Sequence, residues 1–219
     1  MTLVTSDNLK LVAELATPVS NPAAGVLLTL HPLPTHGGFM ESHILRKAAN
    51  RLPALADLAV LRFNTRGTSS PQGTSEGSFG DGIDERKDLE AALEFLNSRG
   101  LGPVWLVGWS FGTELAIKYG FDKDIAGAIL LSPPLRRAGE QDLAKWIGSG
   151  KKLVALIPEH DEFLPPGPAI ERFSALPEAE VIAVDGAKHL WVGESATKRV
   201  LNEIVRVANP AKYPLAERF

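Results

Sequence analysis

The feature that most constrains this chain is an alternation. Short, nearly continuous apolar runs take turns with longer segments whose apolar residues recur every three or four positions. "AGVLLTLH", "DLAVLRFN", "PVWLVGW", "DIAGAILLS" and "KKLVALIP" are of the first kind. Each is of strand length and lacks a polar face, so as a strand it must be covered on both sides. The intervening segments supply the cover. The spacing predicts helices over 42–52, with Ile44, Leu45, Ala48 and Leu52 on one face, and over 84–98, with Leu89, Ala92, Leu93 and Leu96. Further helices are expected over 111–119, 140–147, 169–176 and 194–208, the last turning Val200, Leu201, Ile204 and Val207 inward. Strand–helix–strand units in series give parallel neighbours. With "TLVTS" and "LKLVAEL" as a hairpin turned at Ser6-Asp7-Asn8, and "AEVIAVD" near the end, eight strands are expected. The fold class is therefore α/β: an eight-stranded, mostly parallel sheet with helices on both faces. No repeat or linker divides the chain, so 1–219 reads as a single domain.

Several function classes drop out on composition. A net charge of −3 leaves no basic footprint for nucleic acid. No apolar run reaches the ~18–20 residues that a bilayer span requires, and no lysine or arginine cluster suits an anionic membrane. The N-terminus shows no basic segment followed by an apolar one, so a cytoplasmic protein is expected. The chain has no cysteine, hence no disulfide, thiolate zinc site or cysteine nucleophile. His31 and His36, in a proline-containing loop, lack a carboxylate partner at fixed helical spacing, and no metal site is expected. The glycines of the 67–82 loop are not followed by Gly-Lys-Ser/Thr, and no G-x-G-x-x-G opens a helix after the first parallel strand. No cofactor is expected.

The residues that carry chemistry begin at "VGWSFGTELA". Gly108-Trp109-Ser110-Phe111-Gly112 matches G-x-S-x-G between an expected strand and an expected helix, the context the motif requires. A sharp corner holds the serine in a strained conformation, and residues of glycine size let strand and helix approach. The hydroxyl then stands at the carboxyl edge of the sheet, where open α/β sheets bind ligands. The Phe111 N–H opens the helix and is free to face a negative charge. A turn that happens to contain serine is the bland alternative, because serine is a weak nucleophile without a neighbouring base.

Five histidines are available: His31, His36, His43, His160 and His189. His189, in "VDGAKHLW", and His31, ending the third strand, both fall at the carboxyl edge. Asp161, in "LIPEHDEFLP", lies just beyond a buried strand and could fix an imidazole tautomer. Glu159, Glu162 and Asp185 compete with it. Glu159 lies close to the strand end, Glu162 needs the loop shifted by one residue, and Asp185 could cap a turn instead.

On these residues the chain resembles the α/β-hydrolase superfamily over nearly its whole length. "HPLPTHGG", 31–38, is similar to the HPHP-type segment after the third strand of small dienelactone-hydrolase-like members, with Leu33 in place of the second histidine. "RFNTRGTSSPQG" is similar to the "RFNFRG" segment after the fourth strand, with Thr68-Ser69 in place of Val-Gly. The resemblance implies an α/β-hydrolase fold and a triad in the chain order Ser110, Asp161, His189. It also implies an oxyanion hole from the backbone amides of Leu33 and Phe111. Trp109 and His36 are expected to line the substrate site.

Only eighteen residues, 133–150, separate the sixth strand from the seventh, so no large cap domain is expected and the cleft should be open. The function expected is serine hydrolysis of carboxylic esters or similar small acyl substrates. An acyltransferase, lactonase or peptidase on the same triad, or a non-catalytic binding protein on the same fold, are the alternatives. The only partner expected is a small acyl substrate, with the protein a monomer or homodimer. Among the other marked residues, Arg66 is expected to tie a loop rather than bind an anion, and Arg62 to pair with an acid near the sheet end. Trp105 and Trp146 are expected in the core, and Trp191 packs there or lines the pocket.

Overall fold

The computed structural model describes residues 1–19 and 22–216. Eight strands form one sheet: β1 (Thr2–Val4), β2 (Lys10–Ala16), β3 (Gly25–Leu30), β4 (Leu58–Phe63), β5 (Val104–Trp109), β6 (Gly127–Leu131), β7 (Lys152–His160) and β8 (Glu180–Lys188). Their order across the sheet is β1-β2-β4-β3-β5-β6-β7-β8. β1 and β2 pair antiparallel, β2 runs antiparallel to β4, and the remaining neighbours are parallel. The central strands β3, β4, β5 and β6 are buried at every position, as their unbroken apolar runs require.

Two apolar layers cover the sheet. On one face, α1 (His43–Ala56) and α6 (Glu194–Ala208) pack Ile44, Leu45, Leu52, Val200, Leu201 and Ile204 onto residues such as Leu27, Val107 and Leu156. On the other, α2 (Glu85–Ser98), α3 (Phe111–Tyr119), α4 (Glu140–Ala144) and α5 (Pro166–Phe173) cover Leu28, Leu30, Leu106 and Leu130. Adjacent residues of β3, Leu27 and Leu28, fall in opposite layers, as the period of two demands. The 133–150 connection carries one five-residue helix and no cap domain.

Several boundaries differ from the sequence reading. Helix α1 runs past Leu52 to Ala56 with Pro53 inside it, because the helix continues to bury Pro53 and Ala56. Helix α5 begins at Pro166 rather than 169, where proline fits the first turn without losing a hydrogen bond. The glycine-rich 67–82 loop forms a short ladder, Ser69–Ser70 against Gly73–Thr74. It is stitched to β2 through Ser75 Oγ, which accepts from Val12 N at 3.0 Å, and Glu76 Oε2, which accepts from Lys10 N at 2.8 Å. In the C-terminal segment 209–219, Leu215 is buried and its N–H donates to Asn202 at 2.9 Å. Residues 217–219 of that tail lie outside the described residues.

Arg66 and Arg62 hold structure, as expected. Arg66 pairs with fully buried Asp88 at 2.7 Å and with Asp7 at 3.0 Å, tying the loop to α2 and to the hairpin turn. Arg62 meets Glu14 at 2.6 Å. Trp105, Trp146 and Trp191 are all buried in the apolar layers.

Candidate active site

Ser110 sits between β5 and α3 with φ 51° and ψ −115°, a conformation that L-residues rarely adopt. The glycines on either side make the corner possible. A Cβ on Gly112 would lie 2.1 Å from the Leu30 carbonyl oxygen, and one on Gly108 would lie 2.6 Å from the Gly112 carbonyl. Phe111 begins α3, and among the described residues its N–H has no protein acceptor; neither does the N–H of Leu33.

His189 follows β8 directly. Its Nδ1 lies 2.8 Å from Asp161 Oδ2 and its Nε2 lies 2.9 Å from Ser110 Oγ. A carboxylate can only accept, so Nδ1 carries the proton, Nε2 of the neutral ring is an acceptor, and Ser110 donates to it. Asp161 is buried, which pushes its carboxyl up. Hydrogen bonds from His189 and from the Phe163 and Leu164 amides outweigh that and hold it below the ordinary value. Its Oδ1 accepts from Phe163 N at 2.9 Å and Leu164 N at 3.1 Å. Asp161 is thus ionised and fixed, with one oxygen left for the imidazole.

The rival carboxylates lie elsewhere. Glu159 accepts from Gly186 N at 2.7 Å and holds the irregularity in β8 between Val184 and Lys188, just ahead of His189. Asp185 is exposed, and Glu162 stands at the cleft rim. His160 is exposed on the last residue of β7. His31 is buried and neutral: Nδ1 donates to Pro32 O at 2.7 Å and Nε2 accepts from Thr65 N at 3.1 Å. Burial lowers its pKa to about 4, with the Pro32 bond opposing.

A cleft of about 280 Å³ opens beside Ser110 and His189, walled by Leu33, Trp109, Phe111, Pro134, Phe163 and Leu190. Trp109 and His36, the two residues expected in a substrate site, both line it. Trp109 is nearly buried, and its Nε1 donates to the His189 carbonyl at 3.1 Å. Ser132 Oγ, at the end of β6, donates to that same carbonyl at 3.1 Å. His43 completes the backing: it stacks edge-on to Trp109 at 5.1 Å and bonds the Trp191 carbonyl at 3.2 Å. Sequence reasoning missed Ser132, whose only trace is that it follows a buried strand, and named His43 among the histidines without giving it this role. Among the described residues, no three histidines, aspartates or glutamates cluster to hold a metal. No helix among them is long and apolar enough to cross a membrane.

Fold and site together describe a hydrolase scaffold with a serine, an imidazole and a carboxylate in hydrogen-bonded series. A model of the Alpha/beta hydrolase family matches residues 27–187, and the chain belongs to that family. Among curated proteins it is similar to an uncharacterized protein of Rickettsia prowazekii, 31% identical over 130 residues, which are 57% of this chain and 52% of that one. The match thus spans about half the length of that relative. Among solved structures, it resembles a serine hydrolase without lid from Xanthomonas campestris, at 23% identity and TM-score 0.76, over 99% of this chain and 95% of that one. It also resembles an esterase from Pyrococcus furiosus, at 20% identity and TM-score 0.74, over 95% and 92%.

Proposed function

We propose that the protein is a serine hydrolase that cleaves carboxylic esters or similar small acyl substrates through an acyl-enzyme. The reading is carried by one observation: Ser110 Oγ, His189 Nε2 and Nδ1, and Asp161 Oδ2 form an unbroken hydrogen-bonded series. The esterase name of the Pyrococcus furiosus neighbour supports it.

Ser110 Oγ bonds to the substrate's carbonyl carbon as its proton passes to His189 Nε2. The imidazolium is stabilised by Asp161, which stays ionised. The carbonyl oxygen, now an anion, is held by the Leu33 and Phe111 amides, each donor being worth ~10²–10³ in rate. Collapse breaks the ester C–O bond, and the leaving oxygen takes the proton from Nε2. Water then gives a proton to Nε2 as its oxygen adds to the acyl carbon. A second collapse breaks the Oγ–C bond, returns the proton to Ser110 and releases the acid.

A fluorophosphonate probe tests this. Wild type is expected to be labelled and Ser110→Ala, folded to the same degree, is not. Folded wild type that resists the probe would move the reading to a non-catalytic binding protein. A series of p-nitrophenyl esters tests the substrate size. The small open cleft and absent cap predict best turnover on short acyl chains, and a steep rise toward long chains would contradict that.

A further inference from the structure

Two consecutive arginines enter the cleft from the loop after β6, and only one has its charge matched. Arg137 pairs with Asp81 at 2.7 Å and approaches buried Glu114 at 3.5 Å. Arg136 is exposed, and among the described residues its guanidinium has no carboxylate partner. The backbone that carries it is nevertheless anchored. The Arg136 N–H donates to Glu114 Oε1 at 2.6 Å, and Arg137 N–H donates to the same oxygen. The guanidinium lies 4.7 Å from the centre of the Phe163 ring, and that ring lies 4.5 Å from the His189 ring. Imidazole, phenyl and guanidinium therefore follow one another along the cleft wall.

We infer that this cleft takes acyl substrates that carry a second, free carboxylate, and that Arg136 receives it. The inference rests on the proposed hydrolase reading for the reaction, though not for the binding. A guanidinium resting on an aromatic face keeps its N–H fork free for a carboxylate, which it engages through two parallel bonds. Phe163, Pro134 and Leu190 line the cleft with the apolar surface that the methylenes of a short diacid need. One guanidinium-to-ring step of 4.7 Å and one ring-to-ring step of 4.5 Å separate the cation from the imidazole, a span that suits succinic and glutaric half-esters. Glu162 lines the same cleft and has no cationic partner among the described residues, so its carboxylate repels such an anion and opposes the pull of Arg136.

The p-nitrophenyl half-ester of glutaric acid and p-nitrophenyl valerate, of equal chain length, form the test pair. For wild type, the ratio of kcat/KM for the anionic over the neutral ester is expected to fall about tenfold in Arg136→Gln, chiefly through KM. Arg136→Lys should recover part of it, and Glu162→Gln should raise it. A ratio that Arg136→Gln leaves unchanged overturns the inference. Calorimetry of monomethyl glutarate on Ser110→Ala, with and without Arg136→Gln, separates binding from chemistry. Binding about tenfold weaker without Arg136, with no ester turned over by wild type, upholds the inference and defeats the hydrolase reading. Turnover of esters together with binding indifferent to Arg136 does the reverse. Neither binding nor turnover defeats both.

Discussion

Single residues in this protein are held in states they would not adopt alone. Ser110 occupies a strained backbone conformation because strand, helix and two glycines over-determine it. His31 is a second case, outside the hydrogen-bonded series of Ser110, His189 and Asp161. Its ring joins the end of β3 to the loop after β4 and must stay neutral, so burial holds its pKa near 4. The unfolded chain takes up that proton near pH 6.5. Between those values the unfolded state binds more protons, so stability falls as the pH drops from about 6.5 toward 4 and levels off below. Urea titrations at pH 7 and pH 5 should show wild type losing about 2 kcal/mol more than His31→Gln across that interval. Equal losses in the two proteins would mean that His31 is not buried neutral.

At the scale of elements, the imidazole is positioned by the ends of three strands. β8 delivers His189, while Trp109 at the end of β5 and Ser132 after β6 both grip its carbonyl oxygen. Two donors on one acceptor leave the loop little freedom, and proximity effects depend on such restraint. On the proposed mechanism, Ser132→Ala should lower kcat by about fivefold with KM little changed, since one hydrogen bond is worth roughly 1 kcal/mol. Ser132 has φ 51°, which glycine adopts without strain. Ser132→Gly should therefore match Ser132→Ala in lost kcat while unfolding at a higher temperature. If Ser132→Gly keeps full kcat, backbone geometry alone orients the base.

Across the whole molecule, the buried pair of Arg66 and Asp88 joins parts that are remote in the chain. It links the loop after β4 to α2, and through Asp7 to the turn of the N-terminal hairpin. Burial makes the pair costly to break: removing one partner strands an unpaired charge, with a loss of about 3–5 kcal/mol. Arg66→Met alone should destabilise by that amount in denaturant melts. The double variant Arg66→Met/Asp88→Leu should recover much of the loss, because no buried charge remains. A double variant as unstable as the single one would show that the pair is worth more than its desolvation cost.

The sequence by itself determined the layered α/β architecture, the elbow around Ser110 and a short set of candidates for base and acid. Those features rest on local physics: burial on both faces of a strand, the helical period, and the steric demand of a sharp turn. It fixed element ends less well, as at Pro53 and Pro166, where the first or last helical turn depends on what it packs against. Only the tertiary structure decided that Asp161 faces His189 while Glu159 braces the irregular stretch of β8. It alone brought Trp109 and Ser132 to one carbonyl, and set the Arg136 guanidinium against Phe163. Such meetings depend on which strands are neighbours and in what register. A difference of one residue in register turns a side chain to the other face of the sheet, and no local pattern records that.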